Sequence, residues 1–288
     1  MPKIILDLRW SGLLLSLALY TSCVGAQEVE IRLPSGITAS ADYRAGKTDK
    51  PALLLLHGYL QTRNFPLIYN LAEALADEGY TVLSPTLSLG INRRSQSLAC
   101  EAIHTHSLSD DVEEVRQWVN WLVARGHGKI ALIGHSFAAI QFLVYVMDKP
   151  APEVSKLIFI SLSDMEHKFF SQGRVDKKTA LKLAATDKNA LGNFELGFCK
   201  QYHSTAPAYL SYVAWTQERV LKTLPQLNIP YAAVFGDADS VVSKQWPAQV
   251  RQAGAPVTII AHASHFFDDI GAEFELLNQL DHLLTKNR

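Results

Sequence analysis

Lys129-Ile130-Ala131-Leu132-Ile133-Gly134-His135-Ser136-Phe137-Ala138 is the stretch on which the reading of this chain turns. Lys129 to Ile133 is a short apolar run, as expected of a strand covered on both faces. Ala138 to Met147 follows almost at once and is apolar nearly all round, which predicts a deeply buried helix. Only a few residues separate the two, so the backbone must turn sharply at Ser136. Small neighbours make such a turn possible. Gly134 meets that need fully, whereas Ala138 adds a methyl where strand and helix pack closely. Taken alone, Ser136 also suits the plainer role of a helix cap.

The same alternation extends in both directions. Upstream, Glu28 to Leu33 and Ile37 to Tyr43 read as strands around Pro34-Ser35-Gly36. Leu53 to Leu56 reads as a buried strand. Phe65 to Glu78 is an amphipathic helix stopped by Gly79, and Tyr80 to Leu83 is the next strand. Asp110 to Arg125 is a second amphipathic helix. Asp110, Asp111, Glu113 and Glu114 crowd its first turn, where acidic groups meet the positive end of the helix dipole. Downstream, Leu157 to Leu162, Tyr231 to Phe235 and Val257 to Ile260 are strands. Ser243 to Ala253 and Phe274 to Thr285 are helices. Strands alternating with helices predict an α/β fold with a mostly parallel central sheet and helices on both faces. Residues 164–227 break the pattern. They are richer in charge, with helical stretches at Lys177 to Lys188 and Tyr209 to Leu224, and they predict a helical cap insertion over the sheet.

Composition narrows the function classes. The chain has 288 residues, 48% hydrophobic and 19% charged, which suits a globular protein and not a disordered one. A net charge of −1 gives no electrostatic reason to expect nucleic acid, and the basic residues are scattered. Trp118, Trp121, Trp215 and Trp246 are read as core or pocket packing. No glycine-rich phosphate-binding motif occurs, so no cofactor is expected.

The N-terminus predicts export. Lys3 and Arg9 precede the apolar run Leu13 to Leu19, and Val24-Gly25-Ala26 offers small residues before a cut after Ala26. Residues 1–26 therefore read as a signal peptide, with 27–288 the mature domain in the periplasm or secreted. The apolar run is too short for a comfortable membrane span. Lipid attachment through Cys23 is the alternative. Removal of Cys23 leaves Cys100 and Cys199, an even pair in an oxidising compartment, and predicts a disulfide. That bond would tie the loop around Cys100 to the insertion.

Four segments together resemble the α/β-hydrolase superfamily over about residues 28–287: Leu56-His57-Gly58-Tyr59, Gly134-His135-Ser136-Phe137-Ala138, Gly236-Asp237-Ala238-Asp239-Ser240-Val241-Val242 and Ala263-Ser264-His265-Phe266-Phe267. Serine, aspartate and histidine come in the superfamily's order. The resemblance implies Ser136 as nucleophile, His265 as base with His262 the nearby rival, and Asp239 as acid with Asp237 and Asp164 as alternatives. It implies an oxyanion hole from the backbone N–H groups of Tyr59 and Phe137, and a bracing role for His57. The activity implied is cleavage of a small ester-like substrate through an acyl-enzyme. A non-catalytic binding protein and an acyltransferase are the alternatives on the same fold. His104-Thr105-His106 lacks a third ligand at useful spacing, so a metal is not expected.

Overall fold

The computed structural model describes residues 25–164 and 173–286. Residues 1–24, which carry most of the expected signal segment and Cys23, lie outside the described residues. The first half runs β1 (Gln27–Arg32), β2 (Thr38–Arg44), β3 (Ala52–Leu56), α1 (Pro66–Asp77), β4 (Thr81–Thr86), β5 (Ile103–His104), α2 (Leu108–Val123), β6 (Ile130–His135), α3 (Phe137–Met147) and β7 (Val154–Ile160). The insertion holds α4 (Gly173–Thr186), β8 (Leu191–Leu196), β9 (Cys199–Thr205), α5 (Ala206–Val213) and α6 (Gln217–Thr223). The chain closes with β10 (Tyr231–Gly236), α7 (Trp246–Gln252), β11 (Val257–Ile260) and α8 (Ile270–Thr285).

The central sheet has eight strands in the order β1-β2-β4-β3-β6-β7-β10-β11. β2 pairs antiparallel with β1 and β4, and every later pairing is parallel. Successive residues on a strand face opposite sides, so the apolar runs supply two cores. Leu54, Leu56, Leu132 and Phe159 meet α2, α3 and α7 on one face. Leu53, Leu55, Ile133 and Ile158 meet α1 and α8 on the other. Parallel strands place their carboxyl ends along one edge. The loops after β3, β6, β7, β10 and β11 therefore open on the same side, at the sheet edge where sites of open α/β folds form.

The insertion departs from the expectation of a helical cap. It contains the hairpin β8–β9, antiparallel from Leu191↔Thr205 to Leu196↔Cys199, and β5 joins β9 to make a second three-stranded sheet. Phe194 and Leu196 are buried between exposed or half-buried Asn193 and Glu195, a period-two pattern too short to stand out among polar residues. The stretch expected as one helix from Tyr209 to Leu224 is two. The break falls before Thr216, whose hydroxyl caps α6 by accepting from the Arg219 N–H.

Helix α2 begins as its acidic first turn suggests, with a reciprocal capping box between Ser107 and Asp110. Two of the four acidic residues nonetheless point inward. Asp111 and Glu114 are each 3% exposed.

Candidate functional site

Ser136 sits at the turn between β6 and α3 with φ 55° and ψ −117°, a left-handed conformation that costs a non-glycine residue free energy. Its N–H donates to the Ile160 carbonyl at 2.8 Å, which ties the turn to β7. A Cβ at position 134 would lie 2.8 Å from the Ala138 carbonyl carbon and 2.9 Å from the Ala139 nitrogen, so only glycine fits there. Ala138 is fully buried in the core, and its methyl is accommodated.

The structure brings His265 and Asp239 to this serine. His265 Nε2 lies 2.9 Å from Ser136 Oγ, and His265 Nδ1 lies 2.7 Å from Asp239 Oδ2. The imidazole can thus donate to the carboxylate from one nitrogen and accept the serine proton on the other. The second oxygen of Asp239 accepts from the Val241 and Val242 N–H groups at 2.8 and 3.2 Å. Burial pushes this carboxyl up. The hydrogen bond and charge of His265, aided by the two amides, outweigh that, and the carboxyl stays below its ordinary range. His135, the residue before the serine, donates from Nε2 to the His265 carbonyl at 2.9 Å and so braces the histidine loop. Burial, with the charge of His265, lowers its imidazole to about 3.

The other candidates occupy separate positions. His262 is exposed, and its N–H donates to Asp237 Oδ1 at 2.6 Å, so this pair holds the two loops together away from Ser136. Asp164 accepts from Gln217 of the insertion and from the Ser243 N–H at 3.1 Å. It anchors the cap side of the cleft, while the carboxylate on His265 Nδ1 is that of Asp239. His57 donates from Nδ1 to the Gly58 carbonyl at 2.8 Å and accepts from the Leu87 N–H at 3.1 Å. Burial, then the Arg94 charge, lowers it to about 3 and keeps it neutral. Tyr59 and Phe137 follow Gly58 and Ser136, and both residues line the cleft beside the serine. Gly58 is needed for this approach, because a Cβ there would lie 3.3 Å from that of Ser136 and 2.9 Å from Gln61 Oε1.

The cleft holds about 220 Å³ and is walled by Tyr59, Phe137, Phe198, Val241 and Phe266 around Ser136. Phe198 comes from the tip of the β8–β9 hairpin. A disulfide joins Cys199, next to that tip, to Cys100 in the loop before β5.

Sequence reasoning missed a second buried cluster that fastens the cap. Tyr212 of α5 donates to Asp111 Oδ2 at 2.7 Å, and its oxygen lies 2.6 Å from His106 Nδ1. Gln141 of α3 donates to the same aspartate oxygen at 2.7 Å. Nearby, Ser88 donates to Glu114 from its hydroxyl and its N–H. Burial pushes the Glu114 carboxyl up to about 7, against the pull of Ser88. The one available signal was that Asp111 and Glu114 fall on the apolar stripe of α2, Asp111 four residues before Val115 and Glu114 four before Trp118. His104 stacks on Tyr202 with ring centroids 4.1 Å apart. Among the described residues no group of three or more His, Cys, Asp and Glu side chains could hold a metal.

No curated protein matches the sequence. Solved structures do. The alpha/beta hydrolase GrgF from Penicillium sp. sh18 is 14% identical, with 90% of this chain and 97% of that chain covered and a TM-score of 0.69. Est1E from Butyrivibrio proteoclasticus is 15% identical over 91% of this chain and 100% of its own, with a TM-score of 0.61. A monoacylglycerol lipase of Paleococcus ferrophilus is 13% identical over 86% and 98%, with a TM-score of 0.66. At such identities the likeness establishes the fold. The sequence itself matches the family of the alpha/beta hydrolase fold over residues 51–209, more than half of the chain, and the protein belongs to that family.

Proposed function

We propose that this protein is an exported serine hydrolase that cleaves small ester-like substrates. The observation that carries the reading is the line of hydrogen bonds Asp239–His265–Ser136, ending at a strained serine on the floor of an apolar cleft. Ser136 Oγ attacks the carbonyl carbon while His265 Nε2 takes its proton. The negative charge that forms on the carbonyl oxygen is met by the backbone N–H groups of Tyr59 and Phe137. Collapse expels the alcohol, which leaves with the proton from His265, and the acyl group stays on Ser136 as an ester. Water then attacks that ester while His265 takes its proton, and as the bond to Ser136 breaks the imidazolium returns that proton to Oγ and the free acid leaves. Asp239 holds the imidazole in the required tautomer and balances its positive charge. The monoacylglycerol lipase among the similar structures is in keeping with an ester as substrate.

Export rests on the N-terminal pattern of residues 1–26, and the Cys100–Cys199 bond fits an oxidising compartment. Among the described residues no helix is long and apolar enough to cross a membrane.

The test is labelling by a fluorophosphonate together with hydrolysis of chromogenic esters. The wild type should label and turn over, and Ser136→Ala should do neither while keeping its fold. A wild type that ignores the probe, or a Ser136→Ala variant that labels equally, would sink the reading.

A further inference from the structure

The aromatic rings around Ser136 form two groups. One is Phe65, His135, His265 and Phe266, linked by centroid distances of 5.1–6.3 Å. The other centres on Tyr59, whose ring lies 5.7 Å from Phe137, 5.6 Å from Phe198 and 6.2 Å from Tyr202. The division has a chemical meaning. His265 Nε2 must reach the leaving oxygen to give it a proton, so the alcohol part of an ester lies with the first group. The acyl chain is then directed to the second.

The Tyr59 wall is held from behind and from above. Behind it lies a void of only about 10 Å³, lined by Tyr59, Phe137, Leu89, His106, Asp111 and Tyr212. Above it sits the hairpin tip, where a Cβ at Gly197 would touch the Tyr59 ring at 3.4 Å. The tip cannot swing freely, because the disulfide holds the adjacent Cys199 to Cys100, and Tyr212 fastens α5 to Asp111. The whole cleft holds about 220 Å³. That falls below the usual range for drug-sized ligands, about 300–1,000 Å³.

We propose that the Tyr59 side chain, clamped by the cap hairpin, is the end wall of the acyl pocket and limits the enzyme to esters of short acyl chains. The assignment rests on the serine hydrolase reading above. A long chain would have to displace a ring packed on three others, which a covalently and polar-fastened cap resists.

The experiment compares p-nitrophenyl butanoate with p-nitrophenyl dodecanoate, below the aggregation limit of the latter, for the full-length mature protein. The wild type should favour butanoate in kcat/KM by about tenfold or more, the scale on which one pocket contact discriminates. Tyr59→Ala, which joins the cleft to the void behind it, should raise the dodecanoate-to-butanoate ratio by about tenfold. Tyr59→Leu, a smaller loss of volume, should give a lesser shift in the same direction and guards against an unfolded Ala variant. Equal use of both esters by the wild type, or an unchanged ratio in folded Tyr59 variants, would overturn the assignment while labelling by the fluorophosphonate left the hydrolase reading standing. Absence of both turnover and labelling would overturn the two together.

Discussion

Two buried clusters in this molecule are built from the same three kinds of group, a hydroxyl, an imidazole and a carboxylate. In Ser136–His265–Asp239 the ring uses both nitrogens, one for each partner, so it can take the serine proton on one while the carboxylate holds the other. In Tyr212–His106–Asp111 both partners meet the same ring nitrogen, and the tyrosine also donates directly to the carboxylate. The first cluster is open to a cleft and starts on a strained turn. The second is a closed knot between the cap and the core, with Tyr212 fully buried in the last turn of α5. Residue type allows chemistry, and the direction of each hydrogen bond decides whether it is a relay or a fastening.

The contrast can be broken most forcefully at its two carboxylates. Asp239→Asn should lower kcat for butanoate ester by about 10⁴-fold, because an amide holds the imidazole in the wrong tautomer. A fall of less than tenfold in steady-state assays would remove Asp239 from the relay. The cap should loosen when its covalent tie is lost. A bridge spanning 99 residues of sequence makes the pair Cys100→Ser and Cys199→Ser cost about 3–4 kcal/mol in urea unfolding. A loss below measurement error would show that the cap is held by packing alone. At Asp111, the change to Asn leaves donors from Tyr212, Gln141 and His106 competing for one oxygen. The expected cost is about 2–3 kcal/mol of stability, with kcat on the short ester changed less than tenfold. If Asp111→Asn instead cost as much activity as Asp239→Asn, the knot would belong to the catalytic machinery.

The smallest effect concerns pH. Glu114 lies near Asp111, Ser88 and Trp118, with Arg94 close by, and burial raises its carboxyl from 4.5 to about 7. A carboxyl that holds its proton more tightly when folded favours folding below pH 4.5, and this contribution fades as pH rises to about 7. Glu114→Gln should therefore reduce the difference in unfolding free energy between pH 5 and pH 8 by about 1–2 kcal/mol. The same difference in both proteins would count against the buried, proton-retaining state.

Much of this arrangement was legible in the chain. The run of apolar residues before Gly134 and after Phe137 is a local pattern, and it specifies strand, turn and helix wherever they are placed. Gly134 was legible for the same reason, since the closeness of strand and helix across a tight turn follows from their short separation. The cap hairpin was not. Its strands alternate Phe194 and Leu196 with Asn193 and Glu195 over too few residues, and β9 pairs with β5 a hundred residues earlier. Nor were the inward aspartate and glutamate of α2, whose partners Tyr212, Gln141 and Ser88 lie in other elements.

By itself, then, the sequence determined a mostly parallel α/β sheet, a serine at a strand-to-helix turn, and a short set of histidines and aspartates able to join it. These follow from periodicity and turn chemistry, which act between near neighbours. Only the tertiary structure decided that Asp239 and not Asp164 or Asp237 faces His265, that His262 turns outward, and that Tyr59 is pinned beneath a disulfide-tied hairpin. Those outcomes depend on which loops the folded sheet and cap bring side by side, a matter of contacts between residues far apart along the chain, 26 residues for His265–Asp239 and 129 for His265–Ser136.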